Sequence, residues 1–195
     1  IEPKTQKTQI ENSQLIQADG GQNLMTSSAA DQLRSAEVSN SGTLQARTIA
    51  NHQGKILLLS DMQQGQTNVG GTLDASAPQG GDGGFIETSG AKVNIASNAH
   101  ITTAASNGKT GTWLVDPQDF TIASSGGDID GVTLSTQLDT TNVTLQSSSG
   151  ATAGSGDLNV NDAVGWSANN TLTLTASNNV NINASITATG DTAGL

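Results

Sequence analysis

The chain has 195 residues, a formal net charge of −10 and 12% charged side chains, about half the ~25% usual for a soluble domain. Its seven basic residues are scattered and form no patch, so nucleic acid and anionic membrane surfaces have no electrostatic footing. Aromatics at 2% and the absence of cysteine exclude a thick aromatic core, disulfides and thiolate metal sites.

No apolar run approaches the ~18 residues of a membrane span. Val, Ile and Leu recur at intervals through a background of Gly, Ser, Thr, Asn and Ala, a spacing that disordered chains have no reason to keep. A core made of many thin layers is expected. The opening Ile1-Glu2-Pro3-Lys4 lacks an initiator Met and a signal-peptide core, and the close at Gly194-Leu195 lacks a capping element. Both ends therefore read as cut from something longer, with residues 1–9 an irregular lead-in.

From residue 10 a short phrase repeats: Leu15-Ile16-Gln17-Ala18, Thr43-Leu44-Gln45-Ala46, Thr72-Leu73-Asp74-Ala75 and His100-Ile101-Thr102-Thr103-Ala104. Its anchors at 16, 44, 73 and 101 are 28, 29 and 28 residues apart. Ile10, Val38 and Ile95 each precede an anchor by six residues, across small polar corners suited to tight turns. A second phrase places Ile56, Phe85 and Trp113 at steps of 29 and 28. Between the first coils, Ser28-Ala29-Ala30-Asp31 resembles a capping box before Gln32-Leu33-Arg34-Ser35-Ala36 and predicts a short helix.

The segment 105–131 breaks this register and is expected to bulge from the stack. Within it Asp130 is placed to cap a helix over Gly131–Leu138, with Leu134 and Leu138 on one face. Beyond residue 157 the beat shortens. Leu158-Asn159-Val160-Asn161 matches Val180-Asn181-Ile182-Asn183 at an offset of 22, which stacks Asn159 on Asn181 and Asn161 on Asn183. Such steps allow two or three short strands per turn, and the 3.6-residue helical period is absent from most windows. The fold expected is all-β, a right-handed parallel β-helix with one or two short helical insertions. It forms one domain over 1–195, with ~28-residue coils over 10–104, an insert-rich region over 105–157 and ~22-residue coils over 158–195.

Several phrases resemble the filamentous haemagglutinin-type exoproteins, the large passengers of two-partner secretion in Gram-negative bacteria. They are Ala29-Ala30-Asp31-Gln32-Leu33 with Val38-Ser39-Asn40-Ser41-Gly42, Gly83-Gly84-Phe85-Ile86-Glu87-Thr88-Ser89, Gly111 to Ile122, and Val160 to Asn169. The most specific is Gly111-Thr112-Trp113-Leu114-Val115-Asp116-Pro117-Gln118-Asp119-Phe120-Thr121-Ile122. The resemblance implies a right-handed β-helix exported by an outer-membrane β-barrel transporter, secreted or held at the cell surface, and used in adhesion or haemagglutination. The Asn-Pro-Asn phrase of the family's secretion domain does not occur, which implies a piece downstream of it.

Candidate chemistry is sparse. Gly108-Lys109-Thr110 ends like a phosphate loop, but the position needing the first Gly holds Thr103, so a turn is expected. Gly80-Gly81-Asp82-Gly83-Gly84 hints at calcium nonapeptides yet occurs once, and is expected as a flexible hairpin-like loop. His52 and His100 stand apart from each other and from any Cys. Asp116 and Asp119, flanking the Val115-to-Phe120 turn, and Asp128 and Asp130, expected on one side of an extended strand, are the pairs to set beside the carboxylates of polysaccharide-active β-helix enzymes. They read as turn and cap residues. Asp116-Pro117 reads as a turn, and Trp113 and Trp166 as core or loop caps. Sequons at Asn142, Asn169 and Asn183 are expected by chance in such a composition, with Asn183 poorly reached inside the stack. No catalytic, cofactor-binding or metal-ligating residue is assigned, no cofactor is implied, and the chain is read as a non-enzyme. The function expected is a rod segment of an adhesin. The alternatives are a module over 105–157 that contacts a host glycan or protein, and a polysaccharide-active enzyme. Neither nucleic acid nor membrane insertion is expected.

Overall fold

The computed structural model describes residues 6–29, 34–148 and 154–195. Strands β1 (Gln6–Asn12), β2 (Leu15–Gln17) and β3 (Gln22–Ser27) make the first coil. They are followed by β4 (Arg34–Asn40), β5 (Thr43–Gln45) and β6 (Lys55–Ser60) in the second. The third holds β7 (Gly65–Val69), β8 (Thr72–Asp74) and β9 (Phe85–Ser89), and the fourth β10 (Lys92–Ile95), β11 (His100–Thr102) and β12 (Thr112–Asp116). The fifth runs β13 (Phe120–Ile122), helix α1 (Gly131–Leu138) and β14 (Asn142–Gln146). The sixth holds β15 (Leu158–Val160), β16 (Val164–Trp166) and β17 (Leu172–Thr175), and β18 (Val180–Ile182) and β19 (Ile186–Ala188) begin another.

Like strands of successive coils pair in parallel, giving a β-solenoid. A first sheet orders β1-β4-β7-β10 and a second β2-β5-β8-β11, while the third runs unbroken as β3-β6-β9-β12-β14-β17. Shorter sheets β13-β15-β18 and β16-β19 continue the first two sides. The six strands of the third sheet mark five full turns. Such short strands are stable only because each one's backbone groups bond the coils above and below.

The first repeat is in register as the spacing predicts: Ile16 pairs with Leu44, Leu44 with Leu73, and Leu73 with Ile101. Leu44, Leu73 and Ile101 are fully buried. The second repeat is offset by one residue. Ile86, not Phe85, pairs with Ile56 and Trp113, and the inward stack continues through Val143 to Leu172. Because side chains alternate along a strand, that single step turns Phe85 outward. Ile10 pairs with Val38, whereas Ile95 pairs with Val69 one alternation further along. The 22-residue beat holds, with Leu158 on Val180 and Val164 on Ile186. Asn181 Nδ2 donates to Asn159 Oδ1 at 2.9 Å and Asn183 Nδ2 to Asn161 Oδ1 at 2.8 Å.

Three expectations are corrected. Gln6–Gln9 of the expected lead-in belong to β1 and pair with Arg34–Glu37 of β4; ladder pairing does not require those side chains to be apolar. Residues 34–36 of the helix expected after Ser28 are also strand, and the rest of that segment lies outside the described residues. Ala36 and Val38 point inward with a period of two, so packing overrides the local capping signal. Finally, 105–131 does not bulge as a whole, since β12 and β13 remain in the stack.

Helix α1 forms where the cap predicts. Asp130 accepts from Thr133 N and Oγ1, both at 2.7 Å, and Leu134 and Leu138 are buried. It lies within the solenoid, taking the place of a strand between β11 and β16. Gln137 replaces the missing backbone partner: its Oε1 accepts from Ile101 N at 2.7 Å and its Nε2 donates to Ala99 O at 3.0 Å. Thr140 Oγ1 donates to Ile101 O at 3.0 Å, and on the far side Gly165 N donates to Ser135 Oγ at 2.9 Å. The gap in the first sheet is filled by the segment after β13, whose Asp128 O accepts from Ile95 N at 2.8 Å.

Candidate functional site

The carboxylates singled out in the sequence serve separate structures. Asp116 Oδ1 accepts from Ser148 Oγ at 2.6 Å, and burial pushes its carboxyl up against that hydrogen bond. Asp119 organises the next corner by accepting from Ser155, Gly156 and Asp157 N–H groups at 3.1, 2.7 and 2.9 Å. Asp128 is pushed up by burial, opposed by the Thr121 N–H at 2.7 Å and the Lys92 charge. Asp130 is held down by the Thr133 hydroxyl and N–H. Asp128 and Asp130 do not share a strand, because one braces the excursion after β13 and the other caps α1.

His52 lies in the loop before β6 and His100 on β11, both exposed. Among the described residues no three His, Cys, Asp or Glu side chains gather where they would hold a metal ion. Trp113 is fully buried and donates to Thr88 Oγ1 at 3.1 Å, and Trp166 donates to Asn170 O at 2.9 Å. Pro117 O accepts from Ser148 N at 2.8 Å, so the Asp116-Pro117 corner is clamped by the next coil. Of the sequons, Asn142 is tied on both sides, to Gly111 O and Thr171 N at 2.9 Å. Asn169 is exposed, and so is Asn183, contrary to the expectation of poor access.

The glycine-rich segments come together at one corner of the solenoid. Loops 46–54, 75–84 and 103–111 each lead into the third sheet and stack on one another. Thr48 Oγ1 donates to Asp82 O at 2.9 Å, Lys109 N to Asp82 Oδ1 at 2.8 Å, and Gly83 N to Lys109 O at 2.9 Å. A Cβ at Gly83 would strike Thr103 O, at Gly84 Gly54 O, at Gly108 Gly81 O and at Gly111 Gly84 O. These glycines are thus required by backbone lying on backbone. Of the loop expected at 80–84, Gly83 and Gly84 are instead buried in a packed layer while Gly81 and Asp82 stay exposed, and Gly108-Lys109-Thr110 is part of the next layer.

Two adjoining grooves open over this corner. One, of about 330 Å³, is lined by Thr48, Ala50, Asn51, Gln53, Gly81 and Asp82. The other, of about 280 Å³, shares Gln53 and Asp82 and adds Phe85, Lys109 and Thr112. Ala50, with φ of 54°, forms the tip of a two-residue hairpin closed by Ile49 and His52. Sequence reasoning missed this groove because it took Phe85 for a core anchor; the Lys55-Ile56 and Phe85-Ile86 pairs, read one residue later, carry the signal. No family model, no curated protein and no solved structure matches the chain.

Proposed function

We propose that this chain is a rod segment of a secreted, surface-exposed adhesin of the filamentous haemagglutinin type, a scaffold that carries binding surfaces away from the cell. The observation that supports it most is the unbroken third sheet, six strands in parallel register over five turns. A stack of this kind gains length by adding coils, each stabilised mainly by its neighbours. That suits export as an unfolded chain through an outer-membrane β-barrel partner, since each coil has its template as soon as the preceding one has folded. A chain without cysteine depends on no disulfide chemistry on the way.

In this reading the chain performs no catalysis and takes no cofactor. The phrase Gly111–Ile122, which carries the resemblance most specifically, covers β12, the clamped Asp116-Pro117 corner and β13. It meets the excursion that plugs the first sheet. Antibodies against the chain should label intact, unpermeabilised cells of the source organism, and disruption of the partner transporter should abolish that labelling. Labelling that appears only after permeabilisation overturns the proposal.

A further inference from the structure

We propose that the groove beside Phe85 binds a carboxylated saccharide, with the phenyl ring as an apolar platform and Lys55 as the cation that recognises the carboxylate. This goes beyond the rod reading and stands whether or not the chain is exported.

The chain has four aromatic residues. Trp113, Phe120 and Trp166 are 0%, 1% and 4% exposed, whereas Phe85 is partly exposed on the outer face of the third sheet. The core has no need of it there, because Ile86 fills the inward position and stacks between Ile56 and Trp113. An outward ring in a groove with a polar rim matches a ligand having one flat C–H face and a hydroxylated edge, which is a pyranose.

Charge narrows the class. In a chain of net charge −10, two of only seven basic residues flank this ring. Lys55 is the direct strand partner of Phe85, and Lys109 lines the same groove. Both are exposed, and neither joins the ion pairs found among the described residues, whereas Arg47 is bound to Asp74 at 2.7 Å. Asp82 lines the groove beside Lys109 and offsets it, and Glu87, further along the outer face of β9, is engaged by the Ser89 hydroxyl. The cation left over for a carboxylate is therefore Lys55 on the neighbouring strand. The wall is built in advance of any ligand: Gln53 Nε2 donates to Gly83 O at 3.3 Å, and Asp82 is held by the Lys109 N–H. Such preorganisation lowers the ordering cost of binding.

The test is calorimetric titration of the whole chain with trigalacturonic acid, beside maltotriose as a neutral sugar. Saturable binding of the acid is expected, weakened by added salt. Phe85→Ala and Lys55→Gln should each weaken it by about tenfold, and Phe85→Tyr should restore it. Lys92→Gln, on the first sheet, should leave it unchanged. The far-UV circular dichroism of the variants should superimpose on that of the parent, because neither Phe85 nor Lys55 faces inward. Failure of the parent to bind, indifference to both weakening variants, or equal affinity for maltotriose overturns the inference. A chain labelled at the cell surface that binds no acid sugar loses this inference and keeps the rod reading.

Discussion

Asn12 and Asn40 sit where an inward side chain has to be polar. They are 6% and 2% exposed at the corner between the first two sheets, and Asn12 Nδ2 donates to Asn40 Oδ1 at 2.8 Å. Asn40 Nδ2 passes the ladder on to Gly70 O at 2.8 Å, satisfying a turn carbonyl beside the core. Half-buried carboxyls behave differently. Burial pushes Asp128 up, the Thr121 N–H and Lys92 pull it down, and Asp119 adds to the rise. A carboxyl raised in the folded state binds its proton more tightly there, so its contribution is present below the unfolded value of 3.8. It is lost as pH climbs through the folded value. Asp130 runs the other way, since Thr133 holds it down, and its contribution is lost as pH falls through its folded value. Asp128→Asn keeps an acceptor for Thr121 and removes the ionised form. Its urea midpoint should exceed the parent's at neutral pH and match it near about pH 3; a lower midpoint at neutral pH would contradict this account.

At the scale of elements, α1 shows how a helix can occupy a strand's position. A strand would offer β11 a row of backbone groups; α1 offers Gln137, 1% exposed, which bonds Ile101 N and Ala99 O together. Gln137→Leu should therefore leave two buried backbone groups without partners, at about 1–3 kcal/mol each. Val132→Ala, at a position 75% exposed, should change stability by no more than about 0.5 kcal/mol. Chemical denaturation of the two variants checks both values, and equal small effects would remove Gln137 from its bridging role. The helix itself was legible from Asp130 and the Leu134/Leu138 spacing. Its place in the stack was not, because nothing local to 130–138 specifies what lies 30 residues before and after it.

For the whole molecule, continuity differs between the three sides. Among the described residues only the third sheet crosses the joint between the fourth and fifth coils, where the other two sides are bridged by α1 and by the excursion after β13. The outermost coils expose apolar positions that are buried in the middle: Ile16 at 43%, and Val180 and Ile182 at 40% and 54%. In a solenoid, local stability follows from neighbouring coils. Amide hydrogen exchange should accordingly be slowest in β9 and β12 and fastest in β2, β18 and β19. Uniform protection along the chain would mean that the coils unfold as one block.

The sequence by itself determined the solenoid, because stacking demands that like residues return at the length of a coil. Two beats of 28 and 22 residues, the Leu44-Leu73-Ile101 anchors and the Asn ladders were readable from spacing alone. The tertiary structure decided what a repeat cannot specify. It turned Phe85 outward by one residue of register, drew the segment after Ser28 into a strand at residues 34–36, and made the glycine runs into packed layers. Period-two alternation fixes only which residues share a face, and the neighbouring coil decides which face is inside.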